Sequence, residues 1–86
     1  MWDMVGWIIS SNPRRLVLEA TEDGPITPKE ISDKMDIRME YVSRALSELS
    51  DEDLVECLNP EAHKGRLYMI TEDGEEILSV IEESEL

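Results

Sequence analysis

The sequence predicts an α+β fold that is mostly α: a three-helix core, a two-stranded β-hairpin and a C-terminal helix. Three observations carry this expectation. The stretch TPKEISDKMDIRMEYVSRALSEL, Thr27 to Leu49, places apolar residues at helical spacing on both sides of a break at Asp36. The stretch LVECLNPEAHKGRLYMI, Leu54 to Ile70, reads as strand, turn and strand. At 86 residues and 41% hydrophobic content, the chain can build one small core and no second domain.

The elements follow in order. Residues 1–11 form an apolar N-terminal segment. Trp2, Val5 and Ile9 share one helical stripe there, and Met4, Trp7 and Ile8 cover much of the remainder. So many apolar side chains on so short a piece exceed what one helix can cover. Trp2, Val5, Trp7, Ile8 and Ile9 are therefore expected to meet a second copy of the chain, together with Ile77, Val80 and Ile81 of the last helix. Trp2 and Trp7 are the expected anchors. The competing reading folds both tryptophans back onto their own domain, which spans residues 12–86.

Ser11-Asn12-Pro13 is a helix start, because a polar side chain caps free N–H groups and proline suits the first turn. That helix should reach Thr21, with Leu16, Val17 and Ala20 inward, before Gly24-Pro25 ends it. Thr27-Pro28-Lys29-Glu30 is a capping box, and the helix it opens points Ile31 and Met35 inward. It should stop at Asp36, which tolerates a left-handed backbone. The next helix should run from Met39 to Asp51, burying Val42, Ala45, Leu46 and Leu49. Strands are expected at Leu54–Leu58 and Arg66–Ile70, around a loop from Asn59 to Gly65. Thr71 should cap a final helix ending near Glu83.

Composition excludes several classes. One cysteine (Cys57) and one histidine cannot make a four-ligand zinc site or an internal disulfide. No apolar run approaches the roughly 20 residues of a membrane span, and no basic region precedes the apolar N-terminus as in a signal peptide. A cytoplasmic protein is expected. No Ser/His/Asp set, glycine-rich phosphate loop or metal-ligand spacing is present, so neither enzyme chemistry nor a cofactor is expected. The formal net charge is −13, unevenly spread. All eight basic residues lie between Arg14 and Arg66, whereas Leu67 to Leu86 holds seven acidic residues and none that are basic.

From Asn12 to Leu78 the chain resembles the small winged-helix transcription regulators of archaea and bacteria, in the broad MarR/ArsR-like group. The resemblance rests on TPKEISDKMDIRMEYVSRALSEL, on the DLVEC strand, on KGRLYMIT and on TEDGEEIL. It implies a winged helix-turn-helix, with a recognition helix over Met39 to Ser47 and a wing at His63-Lys64-Gly65-Arg66. It also implies double-stranded DNA as partner and a homodimer that sets two recognition helices roughly 34 Å apart. Ser32 and Asp36 stand where such motifs usually carry alanine and glycine.

On that frame, Arg38 and Arg44 are candidates for guanine or phosphate contact. Arg44 also sits four residues from both Glu40 and Glu48, in a ladder whose pairs are worth only about 0.3–0.5 kcal/mol each. Glu40 can accept from a cytosine amine. Ser43 and Ser47 are small donors on the exposed face, and Met39 and Tyr41 open the helix. His63, Lys64 and Arg66 belong to the wing, and Lys29 adds a cation near a helix start. Cys57 is expected as a small buried hydrophobe. The alternative expectation is a winged-helix module that binds protein and leaves DNA alone.

Overall fold

Local chemistry sets the helix boundaries. The computed structural model describes residues 2–84, ordered α1 (Trp2–Ile9), α2 (Asn12–Thr21), α3 (Pro28–Met35), α4 (Met39–Asp51), β1 (Val55–Cys57), β2 (Tyr68–Ile70) and α5 (Glu72–Glu83). Ser11 caps α2 by accepting from the Arg14 backbone N–H, and Pro13 occupies the first turn. Thr27 and Glu30 complete the capping box of α3. The Thr27 hydroxyl accepts from the Glu30 N–H at 3.2 Å, and the Glu30 carboxylate accepts from the Thr27 N–H at 3.0 Å. That backbone bond, with the Thr27 hydroxyl beside it, holds the Glu30 carboxyl below its usual range.

Asp36 ends α3 in the left-handed region, with φ 54° and ψ 50°. Ser32 fastens the turn: its hydroxyl donates to the Ile37 carbonyl across the bend. An alanine there has no donor to offer, so the polar residue and the non-glycine turn work together. α4 then buries Val42, Ala45, Leu46 and Leu49, the stripe expected from its spacing.

The strands form an antiparallel pair, with Val55 opposite Ile70, Glu56 opposite Met69 and Cys57 opposite Tyr68. They are shorter than the stretches Leu54–Leu58 and Arg66–Ile70 predict. The reason is side-chain substitution for the ladder. Leu58 N–H still donates to the Leu67 carbonyl at 2.8 Å, but beyond it the Asn59 side chain takes over. Its amide oxygen accepts from Leu67 N–H at 2.7 Å and its nitrogen donates to the Gly65 carbonyl at 3.2 Å. Pro60 has no N–H with which to continue. Gly65 turns the loop with φ 67°. A further bridge was not anticipated: Ile26, just before α3, exchanges both backbone hydrogen bonds with Tyr68.

The core draws on all five helices and both strands. α2 buries Val17, Leu18, Ala20 and Thr21, whereas Leu16, expected inside, is only half-buried. In α1 the inward stripe is Val5 and Ile8, not the expected Trp2–Val5–Ile9. Val5 and Ile8 point into the domain and leave Trp2 and Ile9 on the outer side. α5 buries Ile77, Leu78 and Ile81. Val5, Ile8, Ile77 and Ile81 are thus core residues of their own domain, with almost no surface left for a partner. Of the residues expected at a dimer contact, Trp2 and Ile9 are exposed, and Trp7 and Val80 are partly buried against the core.

α5 meets the hairpin through Gly74. A Cβ at that position would lie 2.2 Å from the Leu54 carbonyl oxygen and 2.7 Å from an Ile70 side-chain carbon. Only a residue without a side chain lets the helix start this close to the strands.

Candidate nucleic-acid interface

α4 presents an exposed amphipathic surface beside the hairpin. Its N-terminal residues, Met39, Glu40 and Tyr41, are exposed, and so are Ser43, Arg44 and Ser47. These side chains divide between two flanks of the helix.

On one flank, α4 and the wing enclose an open cleft of about 520 Å³. Ser43, Ser47 and Asp51 line it from the helix, and His63, Arg66 and Tyr68 line it from the hairpin. The fold thus unites two groups that are 12 or more positions apart in the chain. Pro28, at the start of α3, closes one side. Lys29, the next residue, is exposed, and so is Lys64 at the wing tip. Neither lysine has an acidic partner among the described residues.

Arg66 differs from the expectation of a free reading side chain. Its guanidinium folds back, donating from Nε to the Ala62 carbonyl at 2.8 Å and from a terminal nitrogen to the Pro60 carbonyl at 3.2 Å. Arg66 therefore shapes the wing loop, and only its remaining N–H groups are open to a ligand. Lys64 is the mobile-stemmed cation of the wing.

On the other flank, Tyr41, Arg44 and Glu48 of α4 border a small hollow of about 160 Å³ with Ser11, Pro13 and Arg14 of the α2 start. Arg44 is 78% exposed and lies 4.0 Å from Glu48. Arg38, just before the helix, is 80% exposed and lies 3.7 Å from Glu40. Glu40 thus pairs with Arg38 rather than joining an Arg44 ladder. Such exposed pairs are worth little.

Arg14 is the residue that sequence reasoning missed. Its side chain is 18% exposed and reaches from α2 to α4, holding both Glu48 oxygens at 3.3 Å. It also donates to the Trp7 carbonyl at 2.9 Å and lies over the Trp7 ring, 4.3 Å from its centroid. No spacing rule links positions so far apart in the chain.

Cys57 is half-buried, its thiol near the Asn59 amide oxygen at 3.7 Å. Among the described residues, no three His, Cys, Asp or Glu side chains cluster as metal ligands, and no helix is long and apolar enough to cross a membrane.

Four connected features, the capped α3, the left-handed turn, the exposed face of α4 and the hairpin beside it, define a winged helix-turn-helix domain. The chain belongs to the winged helix-turn-helix family, whose model matches residues 15–86. Solved structures agree with that fold. A MarR family transcription regulator is 27% identical with a TM-score of 0.79, over 87% of this chain and 51% of its own. The present chain thus spans about half the length of that regulator. The reduced form of the transcriptional regulator YodB from B. subtilis is 22% identical with a TM-score of 0.80, over 96% of this chain and 83% of its own. The homodimeric winged helix-turn-helix DNA-binding domain of a possible ArsR-family regulator from Mycobacterium bovis is 20% identical with a TM-score of 0.72, over 91% of this chain and 71% of its own. No curated protein matches the sequence.

Proposed function

We propose that this chain is a sequence-specific, DNA-binding transcription regulator that works as a homodimer in the cytoplasm. Residues 39–51 enter the major groove and the wing, 59–66, lies on the minor groove or its phosphates. One observation carries the reading: the Ser43–Ser47 face of α4 and the His63–Arg66 wing border one cleft, with Lys29 and Lys64 exposed beside the two elements. A helix flanked by a hairpin in this way can insert while the hairpin follows the backbone. Family membership and the regulators of like fold support the same reading.

In this reading Arg44 and Arg38 give base or phosphate contacts, Ser43 and Ser47 hydrogen-bond base edges or phosphates, and Lys29, His63, Lys64 and Arg66 add backbone contacts. Tyr41 offers its hydroxyl to a phosphate, while Met39 and Glu40 meet the groove at the helix start. The dimer rests on Trp2, which is 66% exposed, with Ile9 on the same side of α1, and on partly buried Trp7 and Val80 at the edges. The homodimeric relative from Mycobacterium bovis supports that assembly.

Selection from random duplex DNA, followed by a salt titration, tests the proposal. The expected result is an enriched motif of two half-sites. Because few cations are free, affinity should fall with salt at a shallow slope, as for roughly three phosphates per protomer. The acidic surface favours the alternative, a module that binds protein. No enrichment, with Arg44→Ala and Lys64→Ala indistinguishable from the parent chain, decides for that alternative.

A further inference from the structure

Glu48 is a difficulty for the proposed interface. Its carboxylate borders the same hollow as Arg44 and Tyr41, where a phosphate would approach, and it is within 4.0 Å of Arg44. An unneutralised carboxylate there repels the phosphate and competes with it for Arg44. The structure provides a counter-charge from behind. Arg14 holds both Glu48 oxygens at 3.3 Å through a planar fork, while its ring contact and its bond to the Trp7 carbonyl fix it from the other end. Arg14 is mostly shielded, whereas Arg44 is open to solvent. In a ligand-bound state, Arg44 can therefore leave Glu48 without stranding it.

We propose that Arg14 is a positioning residue for DNA contact: it clasps Glu48, releases Arg44 to the phosphate backbone, and ties the N-terminal helix to the recognition helix through Trp7. This rests on the DNA-binding reading above. The planar guanidinium suits the role, because it can pair bidentately with a carboxylate and stack on an indole at once; a lysine ammonium has no planar fork with which to do both. The clasp also bears on α1. Arg14 reaches Glu48 in this geometry while Trp7 lies beneath it, so displacement of α1 loosens the hold on Glu48. Whatever covers Trp2 and Ile9 and steadies α1 therefore favours a recognition face with Glu48 neutralised.

A mutant cycle tests this. Affinity for a fluorescein-labelled mixed-sequence duplex is measured at low salt for the parent chain, Arg14→Gln, Glu48→Gln and the double variant. Circular dichroism at helical wavelengths confirms that each is folded. Simple addition of charges gives the Glu48→Gln change the same effect in both backgrounds. The clasp predicts otherwise: Glu48→Gln improves binding less than two-fold in the parent chain and on the order of five-fold once Arg14 is gone, since only then is the carboxylate uncompensated. Equal factors in the two backgrounds overturn the proposal. A second arm needs no DNA. In a Trp2→Phe chain, the near-ultraviolet dichroism of Trp7 should change with Arg14→Gln, with Arg14→Lys and with Glu48→Gln. An unchanged Trp7 signal in Glu48→Gln refutes the clasp even if DNA binds. If the parent chain binds neither this duplex nor any site enriched from random DNA, the functional reading and Arg14's role in it fall together, whatever the Trp7 signal shows.

Discussion

Two charged faces of this domain are built in opposite ways. Around α4 and the wing, Glu40 is matched by Arg38, and Glu48 by Arg14 and Arg44, while Asp51 in the cleft stands in no ion pair among the described residues. Around α2 and α5, carboxylates crowd one another. Glu19, Glu22, Asp23 and Glu82 border one hollow where, among the described residues, Arg15 and Lys34 offset them through Glu19 and Asp23. Glu22 records the difference. Partial burial, and then the charges of Glu82, Asp23, Glu75 and Glu19, raise its carboxyl above the usual range. The lesson concerns net charge. A total of −13 says little about whether one face can receive a polyanion, because the acids beside Arg38 and Arg44 are paired whereas those between α2 and α5 are concentrated. Exposed charges more than about 8 Å away are largely screened at physiological salt.

The largest effect should come from the joint between the two halves of the domain. Gly74→Ala pushes a methyl group against the Leu54 carbonyl and Ile70, so α5 must shift away from the hairpin. Thermal unfolding should show a loss of about 2–3 kcal/mol, or a Tm lower by roughly 10–20 °C. A change under about 0.5 kcal/mol would mean that the two faces are not rigidly joined.

Next comes the matched face itself. Arg44→Ala should weaken binding to a selected DNA site about ten-fold. Lys64→Ala should weaken it less and almost equally for all sequences, reducing the salt slope by roughly one unit. Arg66→Ala should do something different, because its guanidinium is bound to the Pro60 and Ala62 carbonyls: faster amide exchange in the wing loop together with reduced affinity.

Thr27→Ala removes the α3 cap. It should cost about 1 kcal/mol in denaturant unfolding, without altering the surface of α4. The Glu30 contribution has a definite pH sign. Its carboxyl is lowered in the folded chain, so its stabilisation is present above the unfolded value and is lost as pH falls through the folded one.

The smallest effect should be Glu22→Gln, with the opposite sign. Because the Glu22 carboxyl is raised, its ionised form destabilises the fold at neutral pH, and that penalty disappears as pH falls through the raised value. The variant should melt slightly higher than the parent at pH 7 and identically in acid. A lower Tm at pH 7 would contradict the crowding of the α2–α5 face.

Helices and caps were legible in the sequence because they are local. Thr27 and Glu30 lie three positions apart, and the Val42–Leu49 stripe needs only helical geometry. The left-handed Asp36 was legible for the same reason. The α1 stripe was not, since Trp2, Val5, Ile8 and Ile9 all read as apolar and only the neighbours decide which of them turns inward. A segment hydrophobic on nearly all sides gives no phase. The Asn59 side chain replacing a strand rung, and the Arg14–Glu48 contact across 34 positions, were also beyond reach, because each depends on tertiary placement. The candidate site was legible as a set of residues on α4 and the wing. Its division into two flanks, and the folding back of Arg66, were not.

The bridge between Ile26 and Tyr68 has a mechanical consequence. The segment that leads into α3 is stitched to the returning strand, so two backbone hydrogen bonds tie the base of the wing to the residue just ahead of the first helix of the motif. Bending the hairpin toward a duplex would have to rupture that seam or carry α3 along with it. The domain should therefore approach a groove as one stiff wedge, with compliance left only in the tip beyond Asn59, and the Ile26 and Tyr68 amides should be among the slowest to exchange with solvent deuterium.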